Sequence, residues 1–364
     1  MTLIFATLAA CTAEPDPPPK GDAPREDSPK ETLPPPPSDE PRGFKVLPAD
    51  DPRWVYMGRI DQRARTAPIL VWSGSSVKGV IDATTITVQL QGSGTNWVNV
   101  YVDDEEPQVI ELLDGIHDYV VAEGLAPGPH AFRLSKRTEA ADGALRFRGV
   151  MADGWLEESE RPAFGIEFYG DSITSSYSIE CACDEALPEY KNFDLSYAAL
   201  AAEAVGAEAR AISISGIGIQ LSWWPETMFD HWDGLQLGDG AWDFSWQPEL
   251  VVVNLGQNDY WLGAGSEIQS TYIDFYDALR DVYPDADVLL ALGSMDAVAF
   301  GSPMPGYLEL AVETLQQQGD DKVHSLVFDY NGHGRHPEVA DHEVMADALT
   351  SKILEIREAD PNRR

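Results

Sequence analysis

Residues 165–174 read GIEFYGDSIT, and the way that stretch is taken decides the fold. Its first half, with Ile166, Phe168 and Tyr169, reads as a strand. A strand that runs straight into a tight turn presents the Ser172 hydroxyl at the carboxyl edge of a sheet. A nucleophile is needed there, and the backbone N–H groups of the turn can face a substrate oxyanion. Taken alone, Gly-Asp-Ser reads equally well as a helix cap, because Asp and Ser are preferred caps.

Downstream of the turn, strands alternate with longer helical stretches. YAALAAEAV (197–205) is an Ala-rich helix, AISI (211–214) a strand and LVVVN (250–254) a buried strand. Residues 271–282 form an amphipathic helix, 288–292 a strand, 307–317 a helix and 339–357 the closing helix. Strands joined by helical crossovers imply a parallel sheet covered on both faces, with its sites beyond the carboxyl ends of the strands. This places an α/β domain at residues 164–357.

Upstream, the texture is different. Short β segments (69–72, 85–90, 97–102, 108–113, 131–134 and 144–148) are separated by turn signals such as Gly92-Ser93-Gly94, Asp114-Gly115 and Pro127-Gly128-Pro129. Regular spacing of this kind predicts an all-β sandwich at residues 44–155. Before it, residues 12–43 are dominated by proline and charge and have almost nothing apolar to bury, the composition of an extended spacer. Residues 1–11 (MTLIFATLAAC) resemble a bacterial lipoprotein signal ending at a lipidated Cys11. The run falls short of the roughly 20 residues a membrane span needs. The chain is therefore expected to be exported, either as a lipoprotein whose one membrane contact is an N-terminal lipid anchor or as a secreted protein.

The 364 residues carry 61 acidic and 25 basic side chains, a net charge of −36. No basic run exceeds a pair, so binding a nucleic acid through overall charge is excluded. Hydrophobic residues make up 43% and there are ten Trp, enough for a sizeable core over two domains. The three cysteines are too few for a disulfide framework. Cys181 and Cys183, in ECACD, are open to three readings: free thiols, a local bridge or half of a soft-metal site. Free or bridged, they trim a loop.

Three further signals fall in strand-to-helix loops at the same sheet edge. Ser213 to Gly218 (SISGIG) follows the second α/β strand, Asn254 to Asp259 (NLGQND) leaves the third, and His336-Pro337 precedes the closing helix. An oxyanion site needs two or three neutral donors around one point, which a glycine N–H, an asparagine amide and the serine's own N–H supply, while a histidine supplies the base. His333, His336 and His342 lack a carboxylate or cysteine partner at an established ligand offset, so no metal is expected. Trp223, Trp224, Trp232, Trp242 and Trp246 crowd between these loops, with Tyr260 and Trp261 just beyond. Aromatic rings are a natural platform for the flat faces of sugars, although any single one is more commonly a packing residue.

GDSIT, the Ser-Gly of the second loop, GQND and the His-Pro histidine together resemble the four blocks of the GDSL/SGNH hydrolase superfamily. WVYMGRI (54–60), WSGSS (72–76) and NWVNVYVD (96–103) resemble the N-terminal jelly-roll domain of carbohydrate esterase family 2. The resemblance covers about residues 50–357. It implies a three-layer α/β/α, flavodoxin-like catalytic domain behind a jelly roll, with Ser172 as nucleophile and His336 as general base. Ser172, Gly216 and Asn258 would donate to the oxyanion. Trp261, Tyr260 and Asp171 are expected on the substrate side. In the superfamily an aspartate three residues before the base orients it, and here that position is His333. Orientation from a backbone carbonyl, as in some members of the family, or from nothing is therefore expected. The activity implied is deacetylation of plant polysaccharides or oligosaccharides such as xylan or glucomannan, preferentially at 6-O, with no cofactor. An esterase for other small acyl esters and a non-catalytic sugar-binding protein are the alternatives.

Overall fold

The computed structural model describes residues 43–359. The expected signal and most of the spacer lie outside them. Two antiparallel sheets come first. One runs Lys45–Pro48, Gly143–Ala152, Thr85–Gly94, Gly115–Glu123, with Ile69–Leu70 added to Gly143–Ala152. The other runs Trp155–Glu157, Ser76–Asp82, Pro129–Lys136, Trp97–Val102, Gln108–Glu111, with Val55–Met57 added to Ser76–Asp82. Alternate residues of facing strands meet: Ile86, Val88, Leu90, Val98, Val100, Phe132 and Leu134 share one core. Each such side chain contributes roughly 1.5–3 kcal/mol by leaving water.

Two of these strands carry weak sequence signals. Ser76–Asp82 contains Gly79, where a Cβ would come within 2.4 Å of the Trp54 ring, so close packing removes a side chain that would mark the strand. Gly115–Glu123 starts on the Asp-Gly pair that reads as a turn, and much of it faces solvent.

The second half holds a five-stranded sheet in the order Ala207–Ser213, Phe164–Gly170, Leu250–Asn254, Asp287–Leu292, Val323–Val327, with every pair parallel. Leu250–Asn254 is buried along its whole length, and its two faces feed different cores. Val251 and Val253 pack with residues of helices α3 (Ile268–Val282) and α4 (Met304–Gln317), and Val252 with those of α1 (Tyr197–Ala204) and α5 (Val339–Ala359). A strand covered on both faces reads as a continuous apolar run for this reason. Val323–Val327 lies at the sheet edge, where His324 and Ser325 dilute that run, and the sequence offers little sign of it. Ser196 caps α1, its Oγ accepting Ala199 N–H at 3.2 Å. Among the described residues no helix is long and apolar enough to cross a membrane.

The chain moves from the first strand to the second on one side, then crosses to the third on the other. Loops leaving the first and third strands consequently diverge, which is where open parallel sheets bind ligands. Arg59, upstream of the parallel sheet, is buried beneath it. Its Nε donates to Glu167 Oε1 at 3.0 Å, Nη2 to Tyr169 Oη at 2.6 Å and Nη1 to the carbonyl oxygen of Trp232 at 2.6 Å.

Candidate active site

The turn after the first strand leaves no room for a side chain at Gly170, where a Cβ would stand 2.0 Å from Thr174 Oγ1. Ser175 N–H donates to Asp171 O at 2.9 Å and Tyr177 N–H to Ser172 O at 3.0 Å, closing the turn. Ser172 is 5% exposed, and its Oγ lies 2.8 Å from His336 Nε2. The Tyr177 ring lies 4.3 Å from the imidazole, tilted by 39°.

The other imidazole nitrogen is where expectation and structure part. His336 Nδ1 donates to the carboxylate of Asp184, and the His336 N–H meets the same Oδ1 at 3.1 Å. A carboxylate on Nδ1 fixes the hydrogen there and leaves Nε2 to accept the serine proton. The expected carbonyl, or nothing, is thus replaced by a carboxylate. The hydrogen bond from His336 is the main cause that holds the Asp184 carboxyl below its ordinary range. His333 turns away: its Nε2 lies 3.1 Å from Asp341 Oδ2 in the first turn of α5. His342 is buried in α5, with Nδ1 accepting Tyr197 N–H at 3.1 Å, so the three histidines do not converge.

Gly216 has φ +85°, a conformation suited to glycine. Trp224 Nε1 donates to Ser215 O at 2.7 Å and Trp223 N–H to Gly216 O at 3.0 Å, fixing the loop from outside. Among the described residues nothing accepts the N–H of Ser172 or of Gly216. Asn258, in the short helix α2 (Gln257–Trp261), is brought to the same place. Its Nδ2 donates to Ile217 O at 2.7 Å and to Asp171 Oδ2 at 3.2 Å. The next residue, Asp259, accepts the N–H groups of Ile219, Gln220 and Leu221 and so ties the third loop to the second.

Asp171, expected on the substrate side, is 1% exposed and faces inward, with Oδ1 accepting Ile173 N–H at 2.9 Å. Burial raises its carboxyl to about 7. The neighbouring turn and Asn258 need its acceptors, and that draws it inside. Tyr260 is half-buried against the core under α3 and α4. Trp261 is 40% exposed and donates to Asp296 Oδ2 at 3.1 Å. Trp223 and Trp224 are also exposed, beside Gly216. Trp232 packs on Phe244, and Trp242 and Trp246 lie on Arg210, so these three serve the packing.

With this geometry in place, the likeness to known proteins is specific. Residues 56–157 match the model of the carbohydrate esterase 2 N-terminal domain, and residues 168–348 that of the GDSL-like lipase/acylhydrolase family. A family two carbohydrate esterase from Clostridium thermocellum, solved with cellohexaose, superposes with a TM-score of 0.79 at 30% identity over 83% of this chain and 98% of that one. The chain belongs to carbohydrate esterase family 2. The cellulase/esterase CelE of Acetivibrio thermocellus is 32% identical over 324 residues, 84% of this chain and 39% of CelE, so the chain spans about two-fifths of that relative's length. An acetylxylan esterase / glucomannan deacetylase of Cellvibrio japonicus is 25% identical over 331 residues, 85% of this chain and 91% of that protein.

Two residues of this family 2 esterase that carry no motif stand beside the predicted site. Asp184 follows a cysteine pair 152 positions before His336, and its one advance signal is that pair. Glu139 comes from the antiparallel half and accepts Ser215 N–H at 2.8 Å and Ser215 Oγ–H at 2.9 Å, next to Gly216.

Proposed function

We propose that this esterase removes O-acetyl groups from plant polysaccharides or oligosaccharides such as xylan and glucomannan, preferentially primary 6-O acetyls, through an acyl-enzyme on Ser172. The observation that carries the reading is the 2.8 Å approach of Ser172 Oγ to His336 Nε2. Exposed indoles on the neighbouring loops, Trp223, Trp224 and Trp261, support a sugar as the group presented to that pair. The Cellvibrio relative, an acetylxylan esterase / glucomannan deacetylase, supports the two polysaccharides.

In this mechanism Ser172 Oγ attacks the acetyl carbonyl while His336 Nε2 takes its proton. The oxyanion is held by the Ser172 and Gly216 N–H groups and by Asn258 Nδ2, which exchanges its longer bond to Asp171 for the substrate oxygen. Collapse expels the sugar alkoxide, protonated by His336. Water then gives a proton to His336 and attacks the acyl carbonyl, and collapse releases acetate while His336 returns that proton to Ser172 Oγ.

Location belongs to the same proposal. The Cys181–Cys183 disulfide supports an oxidising compartment, and the apolar run ending at Cys11 supports export and tethering. Treating acetylated glucomannan and xylan with the protein and following acetyl signals by NMR tests the substrate. Loss of 6-O acetyls from glucomannan is expected. Unchanged spectra, with faster cleavage of long-chain than of acetyl nitrophenyl esters, would overturn it.

A further inference from the structure

Asp184 has no sequence kinship with the aspartate that normally stands three residues before the base, and the loop that presents it is unusual. Cys181 and Cys183 are joined, closing a small ring immediately ahead of Asp184. Asp184 itself has φ +60°, which aspartate tolerates better than most residues. Behind the ring, Glu180 is fixed on both sides: its N–H donates to Tyr190 O at 3.1 Å, and its carboxylate pairs with Arg137 and accepts Asn192 Nδ2 at 3.0 Å. Residues 182–187, from within the ring onward, are exposed, and among the described residues the Asp184 side chain bonds to His336 alone. The stretch is held at its root and at the bridge, and it ends on the imidazole.

We propose that Asp184 is the positioning acid of a Ser172–His336–Asp184 triad, and that the Cys181–Cys183 bridge holds it in place, making catalysis depend on the loop's redox state. The inference rests on the Ser172–His336 reading. The charge matters because the imidazolium formed when His336 takes the serine proton needs a negative partner, and the imidazole of His333 offers none. Cys183 is exposed, so a dithiol reaches the bridge. Reduction delivers two electrons and two protons to it, leaving two thiols, while the dithiol is oxidised to its own disulfide.

The test compares the wild type, Asp184→Asn, Asp184→Glu and the double variant Cys181→Ser/Cys183→Ser, using nitrophenyl acetate with and without dithiothreitol. Asp184→Asn is expected to lower kcat by on the order of 100-fold or more with KM little changed, and to move the acid limb of the kcat/KM profile to lower pH. Asp184→Glu should recover part of the rate. Because Asp184 is exposed, the thermal midpoint should barely move. Dithiothreitol should depress kcat of the wild type reversibly and leave the residual rate of Asp184→Asn unchanged.

A kcat within about threefold of wild type in Asp184→Asn, with an unshifted profile, would overturn the triad, since a backbone acceptor would then suffice. A wild-type rate indifferent to reduction would overturn the role of the bridge. A readout independent of turnover separates this from the parent reading: the far-downfield proton signal of a hydrogen-bonded Nδ1–H should be present in the wild type and lost in Asp184→Asn. If that signal behaves so while the wild type cleaves no ester, the esterase reading falls and the Asp184–His336 pairing stands.

Discussion

Glu139 Oε2 accepts the N–H of Ser215 at 2.8 Å, and so the antiparallel half of the chain fixes the backbone next to Gly216, the proposed oxyanion donor. The same carboxylate accepts Ser215 Oγ–H and takes Lys191 Nζ at 2.6 Å, and Asp142 shares that lysine. Glu139 and Lys191 are buried and Asp142 and Ser215 half-buried, so the two halves of the chain are tied together beside Gly216. Glu139→Gln keeps one acceptor and loses the charge. We expect kcat/KM for nitrophenyl acetate to fall about 10-fold through kcat, since a loosened oxyanion donor is felt in the transition state.

A second tie is energetic rather than catalytic. Arg59 and Glu167 are both fully buried, and Tyr169 and Tyr283 add their hydroxyls to the same carboxylate. Removing one partner leaves a buried charge uncompensated, so Arg59→Met should cost ~3–5 kcal/mol in urea unfolding. Arg59→Met with Glu167→Leu should cost less than the sum of the single changes, because the second change removes the stranded charge.

Apolar runs made four of the five parallel strands legible, Val323–Val327 being the exception, and loop chemistry at their carboxyl ends made Ser172, Gly216, Asn258 and His336 stand out. Each of those signals lies within one strand-turn unit. Asp184 and Glu139 were not legible, because their partners lie 152 and 76 positions away and no local pattern encodes such a contact. Asp171 was misread for the opposite reason. Its neighbour Ser172 is the proposed nucleophile, yet the turn spends the Asp171 carboxylate internally on Ile173 N–H and Asn258.

His333 occupies the position where a triad acid is customary, yet it pairs with Asp341. Replacing it removes no contact to His336. His333→Ala should therefore lower kcat by ~10-fold or less, whereas His336→Ala and Ser172→Ala should abolish turnover of the same ester.

Under the proposed function, Trp261 is expected to distinguish polysaccharide from small ester. Its ring is exposed and its indole N–H is held by Asp296, so it is a rigid apolar surface. Trp261→Ala should raise KM for acetylated glucomannan oligosaccharides by about 10-fold, the scale of one lost ring contact, and leave nitrophenyl acetate kinetics nearly unchanged.

The buried Asp171 predicts a pH signature of stability. Burial raises its carboxyl to about 7 from an ordinary 3.8, so the folded state binds a proton that the unfolded chain has released. Its contribution is fully present below about 4 and is lost as pH rises through 7. His342 runs the other way. Burial lowers its imidazole to about 3 from 6.5, so its contribution is present above 6.5 and lost as pH falls through 3. Lys136, lowered by burial to about 7, is protonated in both states below that pH and adds no slope there. From about pH 4 to 6.5 the acid and the histidine oppose each other, which flattens the wild-type curve. Asp171→Asn removes one side. Urea midpoints at pH 5 and pH 7 should show the variant gaining stability relative to the wild type as pH rises. A difference between the two proteins that stays constant across that interval would mean Asp171 is ionised throughout.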